Sequence, residues 1–183
     1  MACTHKTVLL GAAGVGKSCI LLRLTSDRFD PYPESTIGAA FAFLHLKDNG
    51  KRITMGIWDT AGQERYEALA PMYYRNSQVA LVVYDVTSTS SFERAKKWLA
   101  DLCASQPSLQ VALIATKIDL QQSRTVSQAD GRSAAGDNAY LEVSAKSGLN
   151  FARLREMLLE CTRCKPVSPR AELEPCVLGD GCC

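Results

Sequence analysis

The residues best equipped for chemistry stand near the start of the chain, in Gly11-Ala-Ala-Gly-Val-Gly-Lys-Ser18. Small residues at this spacing let successive backbone N–H groups turn inward around phosphate oxygens. A helix opening at the end of the motif points the positive end of its dipole at the same anion. Gly11, Ala13, Gly14, Val15 and Gly16 are therefore expected to form a phosphate cradle. Lys17 can reach the β and γ phosphates, and the Ser18 hydroxyl can join Mg²⁺, a cation that shares six oxygen ligands among protein, phosphates and water. A glycine-rich turn without a ligand is the plain alternative. Context argues against it, because the motif needs a strand before it and a helix after it, and both are expected here.

Three further short motifs follow. Trp58-Asp-Thr-Ala-Gly-Gln-Glu64 closes an expected strand, where Asp59 can face the phosphate site and hold Mg²⁺ through a water. Gly62 has no side chain to screen its amide from a γ phosphate, and Gln63 can orient an attacking water, which makes it the candidate catalytic residue. Thr36, in a loop with Pro31 and Pro33, can cap the metal from the other side; on position alone it could equally be an ordinary loop hydroxyl. Thr116-Lys-Ile-Asp119 ends an expected buried strand on the ligand side of a parallel sheet. The Asp119 carboxylate can accept from N1–H and the 2-amino group of guanine together. Adenine offers an acceptor at N1 and no 2-amino donor, so the pocket is expected to select guanine. Lys117 would lay its aliphatic stem along one face of the base and Phe29 would pack near the other. The Ala145 N–H in Ser144-Ala-Lys146 would meet O6.

These groups need a scaffold that brings them to one rim. Thr7 to Leu10 is a short apolar run before Gly11, and Lys17 to Thr25 is amphipathic, giving strand, loop and helix. Ala39 to Lys47 and Arg52 to Trp58 flank Asp48-Asn49-Gly50. Asn-Gly between strand-like runs signals a hairpin, because both residues tolerate positive φ, so this pair should be antiparallel. Val79 to Tyr84, Val111 to Thr116 and Tyr140 to Ser144 have the short, apolar, β-branched character of buried strands. Phe92 to Ala104, Gln128 to Asn138 and Phe151 to Arg163 carry apolar residues three and four apart, as helices do. The alternation predicts an α/β fold, a six-stranded mainly parallel sheet with one antiparallel strand and helices on both faces.

Composition narrows the field. The 183 residues suit one domain, expected over 1–164. From Lys165 three prolines interrupt any periodicity, so 165–183 is expected to be a flexible tail. With 46% apolar and 22% charged residues the chain can build a core, which excludes disorder throughout. A net charge of +2 gives no general electrostatic reason to bind nucleic acid, whose affinity depends on clustered basic groups. The most apolar runs are five or six residues long, against the ~20 that span a bilayer. Ala2 in place of glycine excludes N-myristoylation, and no secretory signal precedes the first strand, so the eight cysteines belong to a reducing compartment. Cys161 and Cys164 form a C-x-x-C without a second Cys or His pair at zinc spacing and are expected to be helix-face thiols.

With these motifs in this order, residues 5 to about 164 resemble the Ras superfamily of small GTPases, P-loop NTPases of Ras-like fold. Ser35-Thr-Ile-Gly-Ala-Ala-Phe41, Trp58-Asp-Thr-Ala-Gly-Gln-Glu-Arg-Tyr66 and Leu69-Ala-Pro-Met-Tyr-Tyr-Arg75 look like a Rab protein, most like the early-endosomal branch. The resemblance implies GTP and GDP with Mg²⁺ as cofactors, and Ser18, Thr36 and Asp59 at the metal. It adds Cys19, Thr116, Ser144 and Lys146 to the nucleotide site. It also implies that Phe41, Trp58 and Tyr73 form an aromatic effector patch, although all three could instead be ordinary core residues. Two residues depart from the family pattern. Thr116 stands where most members carry Asn, and its hydroxyl can only partly replace that amide; Ala13 stands where Rabs often carry Ser.

The implied function is a membrane-anchored GTPase that recruits effectors in vesicle and endosomal trafficking when GTP is bound. Thr36 and Gly62 would both be held by the γ phosphate, so hydrolysis would release two loops, about 30–42 and 60–76. Pro33, Glu34 and Ser35 place no arginine before Thr36, so hydrolysis should be slow until a GTPase-activating protein supplies the charge. Asp180 stands where a C-a-a-X signal needs cysteine, and Gly181-Cys-Cys183 instead looks like the double geranylgeranylation signal of Rabs, on Cys182 and Cys183. Two lipid chains anchor stably where one does so marginally. The resemblance further implies an exchange factor, a prenylation escort, a GDP-dissociation inhibitor and a monomer without nucleic-acid partners. It places the protein on the cytoplasmic face of an intracellular membrane, the early endosome, with a cytosolic pool. Two other readings are a nucleotide-binding scaffold that barely hydrolyses, against which Gln63 argues, and a P-loop kinase, which would need an acceptor site and an arginine-rich lid.

Overall fold

A computed structural model of the chain describes residues 4–63 and 70–163. In chain order the elements are β1 (Thr4–Leu10), α1 (Lys17–Ser26), β2 (Ala39–Asp48), β3 (Lys51–Thr60), α2 (Ala70–Tyr74), β4 (Val79–Asp85), α3 (Thr89–Ser105), β5 (Gln110–Thr116), α4 (Gln128–Ala135), β6 (Ala139–Glu142) and α5 (Phe151–Arg163). One six-stranded sheet runs β2-β3-β1-β4-β5-β6. Among the described residues only β2 is antiparallel to its neighbour, Phe41 lying opposite Trp58. That hairpin turns at Asn49 and Gly50, whose φ values of 47° and 79° are the positive pair the Asn-Gly sequence predicts.

From β1 the sheet grows first towards β3 and then, on the other side, towards β4. This reversal opens a crevice at the carboxyl ends of the strands. Leu9 pairs with Asp59 and Asp85 with Thr116, so the motif-bearing ends share one rim. Two cores hold the sheet. Leu9, Leu81 and Ile114 pack against α1 and α5 through Ile20, Leu24, Leu154 and Leu158. On the opposite face Val82 and Leu113 meet α3 and α4 through Phe92, Leu99 and Ala135. β4 is buried along its whole length, as its apolar run requires.

Some boundaries differ from the sequence expectation. α4 ends at Ala135, not Asn138, because Gly136 leaves helical geometry at φ 55°, ψ −123°. β6 ends at Glu142 and is half-exposed, not buried, since it is an edge strand with β5 alone as neighbour. The expected loops 30–42 and 60–76 are narrower: 39–42 and 60 belong to strands, and 70–74 form α2. The short helix α2 and the 3₁₀ turn over Gln121–Ser123 are too short to show periodicity in sequence.

Candidate functional site

At the phosphate end, Gly11 follows β1 where a Cβ would run into the Val83 carbonyl, and Gly16 caps α1 at φ 97°, a conformation that side chains rarely tolerate. Lys17 is buried, and its ammonium donates to the carbonyls of Gly11 and Ala12 at 3.0 and 2.8 Å. Burial lowers its pKa to about 8; attraction to Asp59 opposes the shift and repulsion from Arg94 adds to it.

Ser18 Oγ donates to Asp59 Oδ2 at 2.5 Å, Thr36 Oγ1 approaches the same oxygen at 3.3 Å, and the two hydroxyls lie 3.0 Å apart. Oxygens on adjacent vertices of a Mg²⁺ octahedron, each about 2.0–2.1 Å from the ion, stand about 2.8–3.0 Å apart. The hydroxyls are therefore already spaced as two neighbouring ligands. Asp59 Oδ1 is buried and makes no hydrogen bond. Burial raises the Asp59 pKa, against the opposing effects of Ser18, Lys17 and Thr36. A divalent cation would supply the charge this corner lacks, and the residues fit it.

Gly62 lies over the phosphate loop so closely that a Cβ would collide with the Ala12 carbonyl and the Lys17 ammonium. The Ala61 N–H donates to the Gly38 carbonyl at 2.9 Å, which ties the end of β3 to the segment that carries Thr36.

At the base end, Lys117 takes a positive φ of 61° just past β5, a turn that brings Asp119 round to the crevice. The Lys117 ammonium is tethered to Asp85 Oδ2 at 2.7 Å, while Asp85 Oδ1 accepts from the Thr87 N–H and hydroxyl. Ser144, fully buried, donates to Asp119 Oδ1 at 2.6 Å and so fixes the carboxylate's orientation. Arg124 forms a two-bond fork with Glu142, both bonds 2.9 Å, joining the segment after Asp119 to the strand before Ser144. Burial alone would raise the Glu142 pKa, but hydrogen bonds from Arg124 and Tyr140 outweigh it and hold the carboxyl below its usual range.

Ala13, Gly14, Gly16, Lys17, Ser18, Cys19, Phe29 and Thr36 line one cavity of about 510 Å³ with Gly62, Gln63, Thr116, Lys117, Asp119, Ala145 and Lys146. Gly11, Val15, Asp59 and Ser144 are buried and are not among the lining residues. Leu120 also lines the cavity; its position beside Asp119 was the only sequence signal for it. Cys161 is half-buried in α5, and Cys164 lies outside the described residues, as do Cys182 and Cys183.

The aromatic residues form a contiguous group. The Phe41 ring centroid is 5.0 Å from Trp58, and Trp58 is 6.4 Å from Tyr73. Phe41 is exposed while Trp58 and Tyr73 are half-buried, so the group is a surface patch rooted in the core. Gly56 leaves room for it, since a Cβ there would stand 2.9 Å from the Phe41 ring. The group extends to Phe43, edge-on to Phe41 at 4.8 Å and 49% exposed. The alternation of Phe41, Phe43 and His45 along β2 could have revealed this extension.

On a sheet of this order, a phosphate loop facing a base pocket defines the class of P-loop nucleotide-binding proteins. Comparison with known proteins narrows the class. The sequence model of the Ras family matches residues 6–163. The chain is 45% identical over 179 residues to Ras-related protein RABF2b of Arabidopsis thaliana, covering 96% of this chain and 88% of that one. It is 44% identical over 177 residues to Ras-related protein Rab-5A of Dictyostelium discoideum, covering 93% and 88%. It is 47% identical over 148 residues to Ras-related protein RABF2a of Arabidopsis thaliana, covering 79% and 74%. The chain belongs to the Ras family, among its Rab-type small GTPases. It binds GTP and GDP with Mg²⁺, hydrolyses GTP and acts in endosomal trafficking. The readings as a non-hydrolysing scaffold or a kinase fall away.

Proposed function

We propose that this GTPase works on the cytoplasmic face of early endosomes as a prenylated switch whose state is set at one corner of the cavity. The observation that carries this reading is the 3.0 Å approach of Thr36 to Ser18, which joins the loop before β2 to the phosphate loop at the metal position. Ser18, Thr36 and Asp59 would hold Mg²⁺, which would supply charge neutralisation at the phosphate oxygens. Lys17 and the cradle amides from Ala13 to Cys19 bind the phosphates. Gln63 orients the attacking water, and the Gly62 N–H meets the γ phosphate. Once that phosphate leaves, Thr36 and Gly62 each lose a partner, and the two segments they anchor relax.

Asp119 and the Ala145 N–H select guanine, between Lys117 and Phe29, while Thr116, Ser144 and Lys146 frame the pocket. Among the described residues that line the cavity there is no arginine, so an activating protein supplies that charge in trans. An exchange factor reopens the metal corner. Effectors dock on Phe41, Trp58 and Tyr73 in the GTP state, since exposed aromatics concentrate binding energy. Residues 1–164 form the GTPase domain, and 165–183 form a tail carrying lipid on Cys182 and Cys183. The prenylation escort and the GDP-dissociation inhibitor engage that tail.

Single-turnover assays of the full chain should show slow phosphate release from GTP, and Gln63→Leu should slow it by about tenfold or more. Fast release without a partner would overturn the requirement for an activating protein. Replacing Cys182 and Cys183 together by serine should move the protein from membrane to cytosol; retention on membranes would remove the anchor from the account.

A further inference from the structure

The helix α1 meets the site twice. Its first turn presents Lys17 and Ser18. Six residues on, about 9 Å along the axis, Arg23 reaches across to the turn that carries Ala145. The Arg23 side chain is 14% exposed. Its Nε–H donates to the Ala145 carbonyl at 2.8 Å and one terminal nitrogen donates to the Lys146 carbonyl at 3.0 Å. The other terminal nitrogen donates to the Asp27 carbonyl at 2.8 Å and to Asp27 Oδ1 at 3.4 Å. Behind it, Arg155 of α5 donates to the carbonyls of Arg23 and Leu24 at 3.2 and 3.1 Å, which steadies the part of α1 from which the fork reaches.

The turn's own bonds do not reach α1. The Gly148 N–H donates to the Ser144 carbonyl at 2.8 Å, and the Ser147 N–H donates to Ser144 Oγ at 3.1 Å. Such internal bonds keep the turn's shape, and the Ser144 bond to Asp119 anchors its first residue, which leaves Ala145 and Lys146 to be held from outside the turn. The planar guanidinium offers donors from separate nitrogens in fixed directions and links the turn directly to the helix that begins at the phosphates; a lysine ammonium, whose three donors radiate from one nitrogen, lacks that fixed fork.

We propose that Arg23 is a positioning residue for base recognition: by gripping the Ala145 and Lys146 carbonyls, it sets the distance between the phosphate cradle and the amide that meets guanine O6. This rests on the base-pocket assignment made above. A hydrogen bond weakens steeply with misalignment, so a small drift of Ala145 and Lys146 removes the O6 contact, while Ser144 keeps Asp119 in place.

The test pairs the protein variant with a base variant. 6-Thioguanosine diphosphate keeps the N1–H and 2-amino group that Asp119 accepts from, but its thione is a poor acceptor. Dissociation of GDP and of 6-thio-GDP is measured by chase from the full chain with Mg²⁺. Arg23→Ala should accelerate GDP release by about tenfold and 6-thio-GDP release by less than about threefold. Arg23→Lys should give an intermediate GDP effect and serves if the alanine variant fails to fold. Equal acceleration of both nucleotides would assign Arg23 to general stability and overturn the proposal, as would unchanged GDP release. Asp119→Asn separates the two assignments. A shift towards xanthosine diphosphate upholds the base pocket whatever Arg23 does, and an unchanged preference for GDP removes the base pocket and the proposal with it.

Discussion

Replacing Thr116 by valine removes one hydroxyl and almost nothing else, and the structure sets the size of the loss. Thr116 is 3% exposed, and its Oγ1 lies 2.6 Å from the Val15 carbonyl in the phosphate loop and 2.9 Å from the Tyr84 carbonyl in β4. One proton serves both carbonyls. The valine variant would set both against a methyl group, at about 1–3 kcal/mol for a lost bond and an unpaired buried acceptor. In a domain of this size that lowers the melting temperature by roughly 3–9 °C with GDP saturating. Because Val15 belongs to the cradle, part of the loss appears in binding, and GDP release should accelerate by on the order of tenfold. Thr116→Asn is the contrasting variant, since an amide can donate one N–H to each carbonyl, and it should release GDP more slowly than the wild type. Thermal unfolding and a fluorescent-GDP chase read both effects. If Thr116→Val leaves both unchanged, the hydroxyl does not brace the loop.

Three other outcomes follow from particular contacts. Gly62→Ala puts a methyl group into the Ala12 carbonyl and the Lys17 ammonium, so GTP hydrolysis should fall much further than GDP affinity; parallel losses in kinetic and binding assays would contradict this. Phe43→Ser should weaken capture of GTP-state effectors without changing GDP release, because Phe43 is exposed on the aromatic patch and does not line the cavity; an altered release rate would tie it to the nucleotide site instead. His5 is buried in β1, and burial holds its imidazole pKa below the ordinary 6.5. The unfolded chain therefore takes up a proton that the folded chain resists. The His5 contribution is fully present above pH 6.5, falls as pH drops towards the folded value and levels off below it. Melting temperatures at pH values either side of that window should show the fall, and His5→Leu should remove that part of it.

Most of the scaffold could be inferred from periodicity. The expected α5 matches the observed Phe151–Arg163 residue for residue, because its apolar positions repeat cleanly and buried Phe151, Leu154 and Leu158 share one face. β6 was harder. Its residues have strand character, but whether an edge strand is covered depends on neighbours far away in sequence. Short elements such as α2 carry too few residues to show a period. In the site, the residues proposed for phosphate and metal could be named from sequence because backbone approach demands glycine and Mg²⁺ demands oxygen donors, and the fold brings them to one corner. The bracing residues were not. Arg23 reads as a surface arginine on an amphipathic helix, and nothing in its local sequence says that the carbonyls it holds come from residues 145 and 146. Arg124 with Glu142 and Lys117 with Asp85 are likewise pairings made by the fold. The patch lay between its two sequence readings, since Phe41 is exposed while Trp58 packs against the core.

The central claim is that one cavity holds a nucleotide by its phosphates and its base together, and that the base must be guanine. Titration calorimetry of the nucleotide-free full chain, with Mg²⁺ present, compares GDP with ADP. A site built to pair with the guanine edge should favour GDP by at least about a thousandfold. Affinities of similar size for the two diphosphates would contradict the account.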